Sequence, residues 1–246
     1  MNKDDKLGKC YVTNEGYKIK IIESFSYANN TIVFENGFIL YNIRFNHIKR
    51  GSVSNPYHAS VYGVGYRGEG VHKKSISGKH TKVYKNWCSM LERCYSLEYK
   101  ENQPTYINSI VDCYWHNFQV FAEWFKNNYK EGYELDKDLL VRGNKNYSPN
   151  TCCFIPKYIN TLLIKCDSKR GKYFIGVRKR KNRFEARCQV NGKPKYIGSF
   201  ETELEAFYAY KNAKESDIKE VAEKYKDQIT ERCYWALINY KVNIND

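Results

Sequence analysis

The 246-residue chain lacks any run of about 18 apolar residues, so no stretch of it reads as a membrane-spanning helix. Its opening residues, MNKDDKLGKC, carry no apolar core of the kind a secretory signal needs. Without such a signal the expected compartment is reducing. The nine cysteines are then expected as core thiols or metal ligands rather than disulfides. No CxxC pair occurs, which removes the close ligand pairs of most structural zinc sites. Acid is the scarcer charge: 27 Asp and Glu face 41 Lys and Arg, a formal net charge of +14 with a pI near 9.2. A surplus of that size repels itself unless an anionic partner is near, and nucleic acid fits better than an anionic membrane. The glycine-dense string GVGYRGEG has no strand–turn–helix frame, so it is not a nucleotide-binding loop. No small-molecule substrate is expected.

Apolar and aromatic residues are still sufficient for packed cores. Aromatics reach 16%, with 23 tyrosines, despite a mean hydropathy of −0.72. Periodicity then divides the chain. Gly16–Ile48 alternates in the manner of strands, and Asn36-Gly37 between apolar runs is a hairpin signal. A small twisted sheet or open barrel is expected over residues 1–50. Residues 51–82 are rich in Gly, Ser, Lys and Tyr and show no helix pattern. They read either as an extended basic arm, with Tyr62 and Tyr66 able to stack, or as a linker or packed loop.

From Val83 the spacing turns helical. Val83, Trp87, Met90, Leu91 and Cys94 recur at three and four residues, as do Phe118, Phe121, Ala122 and Phe125, with Asn117 or His116 as N-cap and Gly132 as stop. After a polar joint at Lys165–Lys172, the strings FIGVRKR, FEARCQV and PKYIGSF read as three short strands turned at Asn182 and Asn191-Gly192. A helix from Glu201 follows, with Thr202 and Glu205 in capping-box spacing, and a last helix runs through ITERCYWALINY. The expected class is α+β, in four parts: 1–50, 51–82, 83–164 and 165–246.

Strand alternation gives the three-stranded segment two faces. Phe184, Ala186, Cys188 and Val190 point one way, and Arg183, Glu185, Arg187 and Gln189 the other. Between Lys165 and Gly198 twelve basic residues face only Asp167 and Glu185, a local charge of +10. A face of Arg, Gln and Tyr fits the major groove, where Arg forks onto guanine and Gln onto adenine. The strings GVRKR, RFEARC, YIGSF and ETELEAFYAY, across residues 172 to 214, resemble the ethylene-response-factor type of DNA-binding domain, which also occurs in phage and mobile-element nucleases. The resemblance implies a three-stranded sheet in the major groove with a helix behind it. It places Arg178, Arg180, Arg183, Arg187 and Tyr196 at groove-facing positions, and Gln189 shares that face. The family's Arg before the Gly is Ile175 here, and its Trp in the first turn is missing.

The middle of the chain resembles phage HNH endonucleases of the homing type. The likeness rests on YKNWCSMLERCY, VDCYWHNFQVFAEWF, LDKD and NYSPNTCCFIPKYIN, over residues 81 to 161. It implies a ββα unit that nicks or cuts duplex DNA with one Mg²⁺ or Mn²⁺. In that chemistry the metal stabilises the leaving oxygen and a neutral His activates water. Carried over residue by residue, Asp136 and Asn160 fall on the metal ligands, Lys137 on the catalytic His and Thr151 on the central Asn. A lysine ammonium is a poor base at neutral pH but can neutralise phosphate. Cys94, Cys113 and Cys152, with Cys88 or Cys153 nearby, match family cysteines and are candidates for a structural zinc or for core packing. The family implies a phage-encoded protein in a bacterial cytoplasm. Two functions stay open: a metal-dependent DNA endonuclease, or a DNA-binding protein that keeps the nuclease scaffold without cleavage and acts in regulation or host interference.

Overall fold

A computed structural model describes residues 6–164, 172–190 and 193–246. Residues 165–171 of the expected Lys165–Lys172 joint, the Asn191-Gly192 turn and the side chain of Val190 lie outside the described residues. The fold is mixed α+β, as the periodicity implied. The chain forms two compact units, residues 1–104 with 113–123, and residues 105–112 with 124–246.

In the first unit, strands β1 (Cys10–Val12), β2 (Lys18–Ser24), β3 (Asn30–Phe34) and β4 (Ile39–Ile43) make an antiparallel meander in that order. The Asn36-Gly37 hairpin forms where expected, with Gly37 at φ 85. Ile19, Ile21, Ile32 and Phe34 pack with Phe45 and Ile48 of the short helix α1 (Phe45–Lys49) into one small core. Helix α2 (Lys82–Tyr95) buries Trp87, Met90, Leu91 and Cys94, and Thr81 caps it by accepting from the Tyr84 amide. A short helix α3 (Leu97–Asn102) follows.

The glycine-rich segment is a packed loop, so the arm and linker alternatives do not hold for it. Besides a small hairpin, β5 (Ser75–Ile76) with β6 (Lys79–His80), it is pinned at several points. The Gly65 backbone lies where a Cβ would stand 2.4 Å from Leu91 Cδ1 and 2.9 Å from Trp87. Tyr66 N–H donates to the His116 carbonyl, and Gln119 brackets His72 by accepting from its amide (2.9 Å) and donating to its carbonyl (3.0 Å). Asn117 Oδ1 accepts from the Gln119 amide at the start of helix α4 (Phe118–Asn128), so Asn117 is the residue that caps it.

The second unit contains strand β7 (Ile110–Val111), the end of α4, β8 (Tyr133–Asp136), β9 (Asn146–Tyr147), β10 (Cys153–Pro156) and helix α5 (Lys157–Leu163). Gly132 adopts φ 82 in the turn into β8, four residues past the end of α4 rather than at its stop. Strands β8 and β10 pair antiparallel, with Cys153 opposite Asp136 and Ile155 opposite Glu134. The three expected strands follow as β11 (Val177–Arg180), β12 (Arg183–Val190) and β13 (Lys193–Phe200). Helix α6 (Glu203–Tyr225) starts with the expected Thr202–Glu205 capping box, and α7 (Glu231–Ile238) closes the order.

The expected boundaries at 82/83 and 164/165 fall inside the two units. The second has a physical reason. The first half of α6 buries Ala206, Phe207 and Tyr210 against the three-stranded sheet. Its far half, through Ile218, Val221 and Ala222, shares a core with Ile155 and Ile159 of the β10–α5 segment and with Cys233 and Leu237 of α7. One 23-residue helix thus serves both cores. Among the described residues, no helix is long and apolar enough to cross a membrane.

Candidate nucleic-acid interface

The three-stranded sheet has the two faces its alternation demands. Ala186 and Cys188 are buried against α6, with Phe184, Ile175 and Val177 partly buried beside them. The opposite face carries the arginines. Arg178 sits directly across from Glu185 in the β11–β12 register, and Arg187 across from Tyr196 in the β12–β13 register, after a bulge between Ala186 and Arg187. The β11–β12 turn is two residues long, with Lys181 in the left-handed region at φ 53.

Three of the four arginines converge on one carboxylate. Arg178 gives Nε and Nη2 to Glu185 Oε2, both at 2.8 Å. Arg180 Nη1 lies 3.4 Å from Oε1, and Arg187 Nη2 lies 3.3 Å from Oε2. The Glu185 side chain is 8% exposed, whereas those of Arg178, Arg180 and Arg187 are 50%, 66% and 41% exposed. The carboxylate is therefore roofed by guanidinium groups that remain open to solvent. The Arg178 hydrogen bond is the largest influence holding the Glu185 carboxyl below the usual carboxylate range, ahead of the opposing desolvation. Arg187 also lies over the Tyr196 ring, 5.7 Å from its centroid. Arg183 donates to Ser199 through Nε (3.3 Å, to Oγ) and Nη2 (3.1 Å, to the carbonyl). Gln189 and Tyr196 are exposed. The residues expected to face a groove are thus together on one solvent-facing surface.

The ββα segment has the expected order but different contacts. Asp136 ends β8, and Asn160 lies on α5, which follows directly from the paired strand β10. Yet Asn160 Nδ2 donates to Glu134 Oε2 at 2.7 Å, two residues before Asp136 on the same strand. Asp136 Oδ1 accepts from the amides of Asp138 (2.9 Å) and Leu139 (2.7 Å), closing the turn after β8. Burial is the main reason its carboxyl stands above the ordinary range, against the lowering pull of those amides.

Lys137 is the clearest departure from the resemblance. It is only 7% exposed. Its Nζ donates to both Asp138 carboxylate oxygens (2.9 and 2.8 Å) and to the Asn144 carbonyl (2.9 Å). The Tyr106 and Tyr147 rings flank it at 5.7 and 5.9 Å. Asn144 completes the knot by donating to the carbonyls of Lys137 (2.9 Å) and Asn146 (2.6 Å). Thr151 braces the same loop, its hydroxyl donating to the Asn146 carbonyl at 2.7 Å. Glu134, Asn144, Tyr106 and Tyr147 were missed in the sequence, because their roles come from strand register and loop closure rather than from any motif.

A nuclease metal centre would need Asp136 and Asn160 to share an ion, with a neutral base beside it. In the structure these side chains are engaged with other groups. Asn160 is bonded to Glu134, Asp136 Oδ1 is engaged by two amides, and the base position holds an ammonium enclosed by a carboxylate, a carbonyl and two rings.

The cysteines proposed for zinc are dispersed by environment. Cys94 is buried within the α2 core and Cys113 is exposed, both in the first unit. Cys152 is buried in the second unit, where desolvation pushes its thiol up to about 12. The neighbouring Cys233 thiol, ahead of burial, is the largest reason the Cys153 thiol is raised. Among the described residues, no group of three or more His, Cys, Asp or Glu is placed to hold a metal ion. His116, in the first unit, spends its ring on the Tyr95 hydroxyl at 3.1 Å.

No family model, no curated protein and no solved structure matches this chain.

Proposed function

We propose that the protein binds double-stranded DNA through the solvent face of β11–β13, and that its ββα segment is a structural support for that module. The observation that carries this reading is the fixed array of Arg178, Arg180, Arg183 and Arg187, with Tyr196, on one face of a small sheet whose other face is packed on α6. A narrow three-stranded ribbon of this kind suits a major groove, and exposed guanidinium groups supply both phosphate contacts and forked contacts to base edges. The shared core of α6, α7, β10 and α5 then holds the sheet on a stable base. The test is selection from a random duplex library, followed by affinity measurements on the selected and on scrambled sequences. Arg183→Ala should cost about 1–3 kcal/mol on the selected duplex if it reads a base. Equal losses on both duplexes would assign it to phosphate, and a failure to bind either duplex would remove the reading.

A second reading, metal-dependent nicking of duplex DNA, is favoured by the β8–β10–α5 order, which sets Asp136 and Asn160 on adjacent elements. A supercoiled-plasmid assay with Mg²⁺ or Mn²⁺ separates the two. Nicking by the wild type that Asp136→Ala abolishes would establish the second.

A further inference from the structure

We propose that Glu185 is a positioning residue for sequence selection: it holds Arg178, Arg180 and Arg187 in one arrangement, so that the face discriminates among duplexes instead of binding all of them. This inference rests on the DNA-binding reading above. A carboxylate on a DNA-binding face opposes the phosphates, and simple charge counting would call it a defect. The geometry gives it a different role. Glu185 lies in the middle strand, opposite Arg178 on β11 and two residues from Arg187 on its own strand, with Arg180 at the end of β11. Its two oxygens together accept from all three guanidinium groups.

An arginine side chain has several rotatable bonds, and an untethered one reaches phosphate or base edge with little preference. A tethered one has fewer arrangements and keeps its remaining N–H groups aimed one way. Arg178 spends two N–H groups on Glu185, while Arg180 and Arg187 spend one each. A guanidinium has five, so each retains at least three for a groove. The side chains remain at least 41% exposed over a carboxylate that is nearly covered. Preorganisation of this kind raises specificity by removing the freedom to satisfy wrong partners, and the buried negative charge weakens attraction to any phosphate backbone that offers nothing else.

The two effects oppose each other on different DNA, which makes the proposal testable. Glu185→Gln keeps the shape and removes the charge. Its affinity for a scrambled duplex should rise, and its preference for the library-selected duplex should fall by about tenfold or more, the scale of one good forked base contact. Glu185→Asp keeps the charge but shortens the reach. It should leave scrambled-duplex affinity unchanged and still lose selectivity. A purely structural role for Glu185 would instead lower binding to both duplexes in parallel with the thermal unfolding temperature of each variant. Selectivity retained in both variants, or parallel loss on both duplexes, overturns the proposal while leaving the DNA-binding reading intact. A wild-type protein that binds no duplex overturns both together.

Discussion

Replacing Lys137 with methionine distinguishes a structural lysine from a phosphate clamp. Methionine retains most of the apolar stem but removes the ammonium. The donation to the Asn144 carbonyl at 2.9 Å is a charge-assisted bond inside a covered site, a class worth about 1.5–3 kcal/mol. The ion pair with Asp138 adds little, about 0–1 kcal/mol, because the Asp138 side chain is 54% exposed. The Tyr106 and Tyr147 rings each contribute about 0.5–1 kcal/mol at these distances. Since such contributions overlap, Lys137→Met is expected to destabilise the protein by roughly 2–4 kcal/mol. Denaturant unfolding of the full chain measures this. The same variant, folded, should show an unchanged salt dependence of DNA affinity, whereas a lost phosphate contact would take about 0.9 from the slope. A stability change below about 0.5 kcal/mol together with a reduced slope would refute the structural assignment.

Two further substitutions test the packing and electrostatics beneath the sheet. Gly176 stands at φ 77 with its Cα against Tyr210, so that an added Cβ would lie 2.1 Å from Cδ2 of that ring. Gly176→Ala should therefore cost roughly 2–5 kcal/mol from backbone strain and overpacking, read as a lower unfolding temperature; an unchanged temperature would mean that α6 does not press on this turn. Asp217 is 4% exposed, its Oδ2 has no hydrogen-bond partner, and burial raises its carboxyl above the ordinary 3.8. Ionising this carboxyl therefore costs the folded protein stability: the cost is absent below pH 3.8, grows as pH rises from there towards the raised folded value and is complete above it. Asp217→Asn should accordingly raise the unfolding temperature at pH 7, with the gain shrinking towards pH 3.8; a gain independent of pH would contradict the cause assigned.

Elements whose signal is local were legible in the sequence. Period-two alternation at Phe184, Ala186 and Cys188 marked the inner face of β12, and the Thr202–Glu205 pair marked the start of α6. The helix stripe of Trp87, Met90, Leu91 and Cys94 was equally plain. What failed to show was non-local. Nothing in the spacing of Ile218, Val221 and Ala222 says that they pack on Ile155 and Ile159 rather than on the sheet, so the C-terminal helices looked like part of a separate module. Glu185 looked like an acidic interruption of a basic strand, because its meaning depends on a cross-strand register with Arg178. Lys137 aligned with a catalytic position, but its surroundings come from Tyr106, Asn144 and Tyr147, which a motif does not contain. The glycines of residues 65–70 left an extended arm, a linker and a packed loop all open, whereas Gly65, Gly68 and Gly70 are the points of close approach to Leu91, Asn117 and Gln119.

The measurement that tests the central claim most directly is the affinity of the wild-type protein for a duplex as a function of salt. Engagement of the Arg178, Arg180, Arg183 and Arg187 face with the DNA backbone predicts a linear fall of log affinity with log salt, with a slope of magnitude about 3 or more. Removing those four side chains together should abolish most of that slope while the protein remains folded. A wild-type affinity that does not respond to salt, or a slope that survives the loss of all four arginines, would contradict the account.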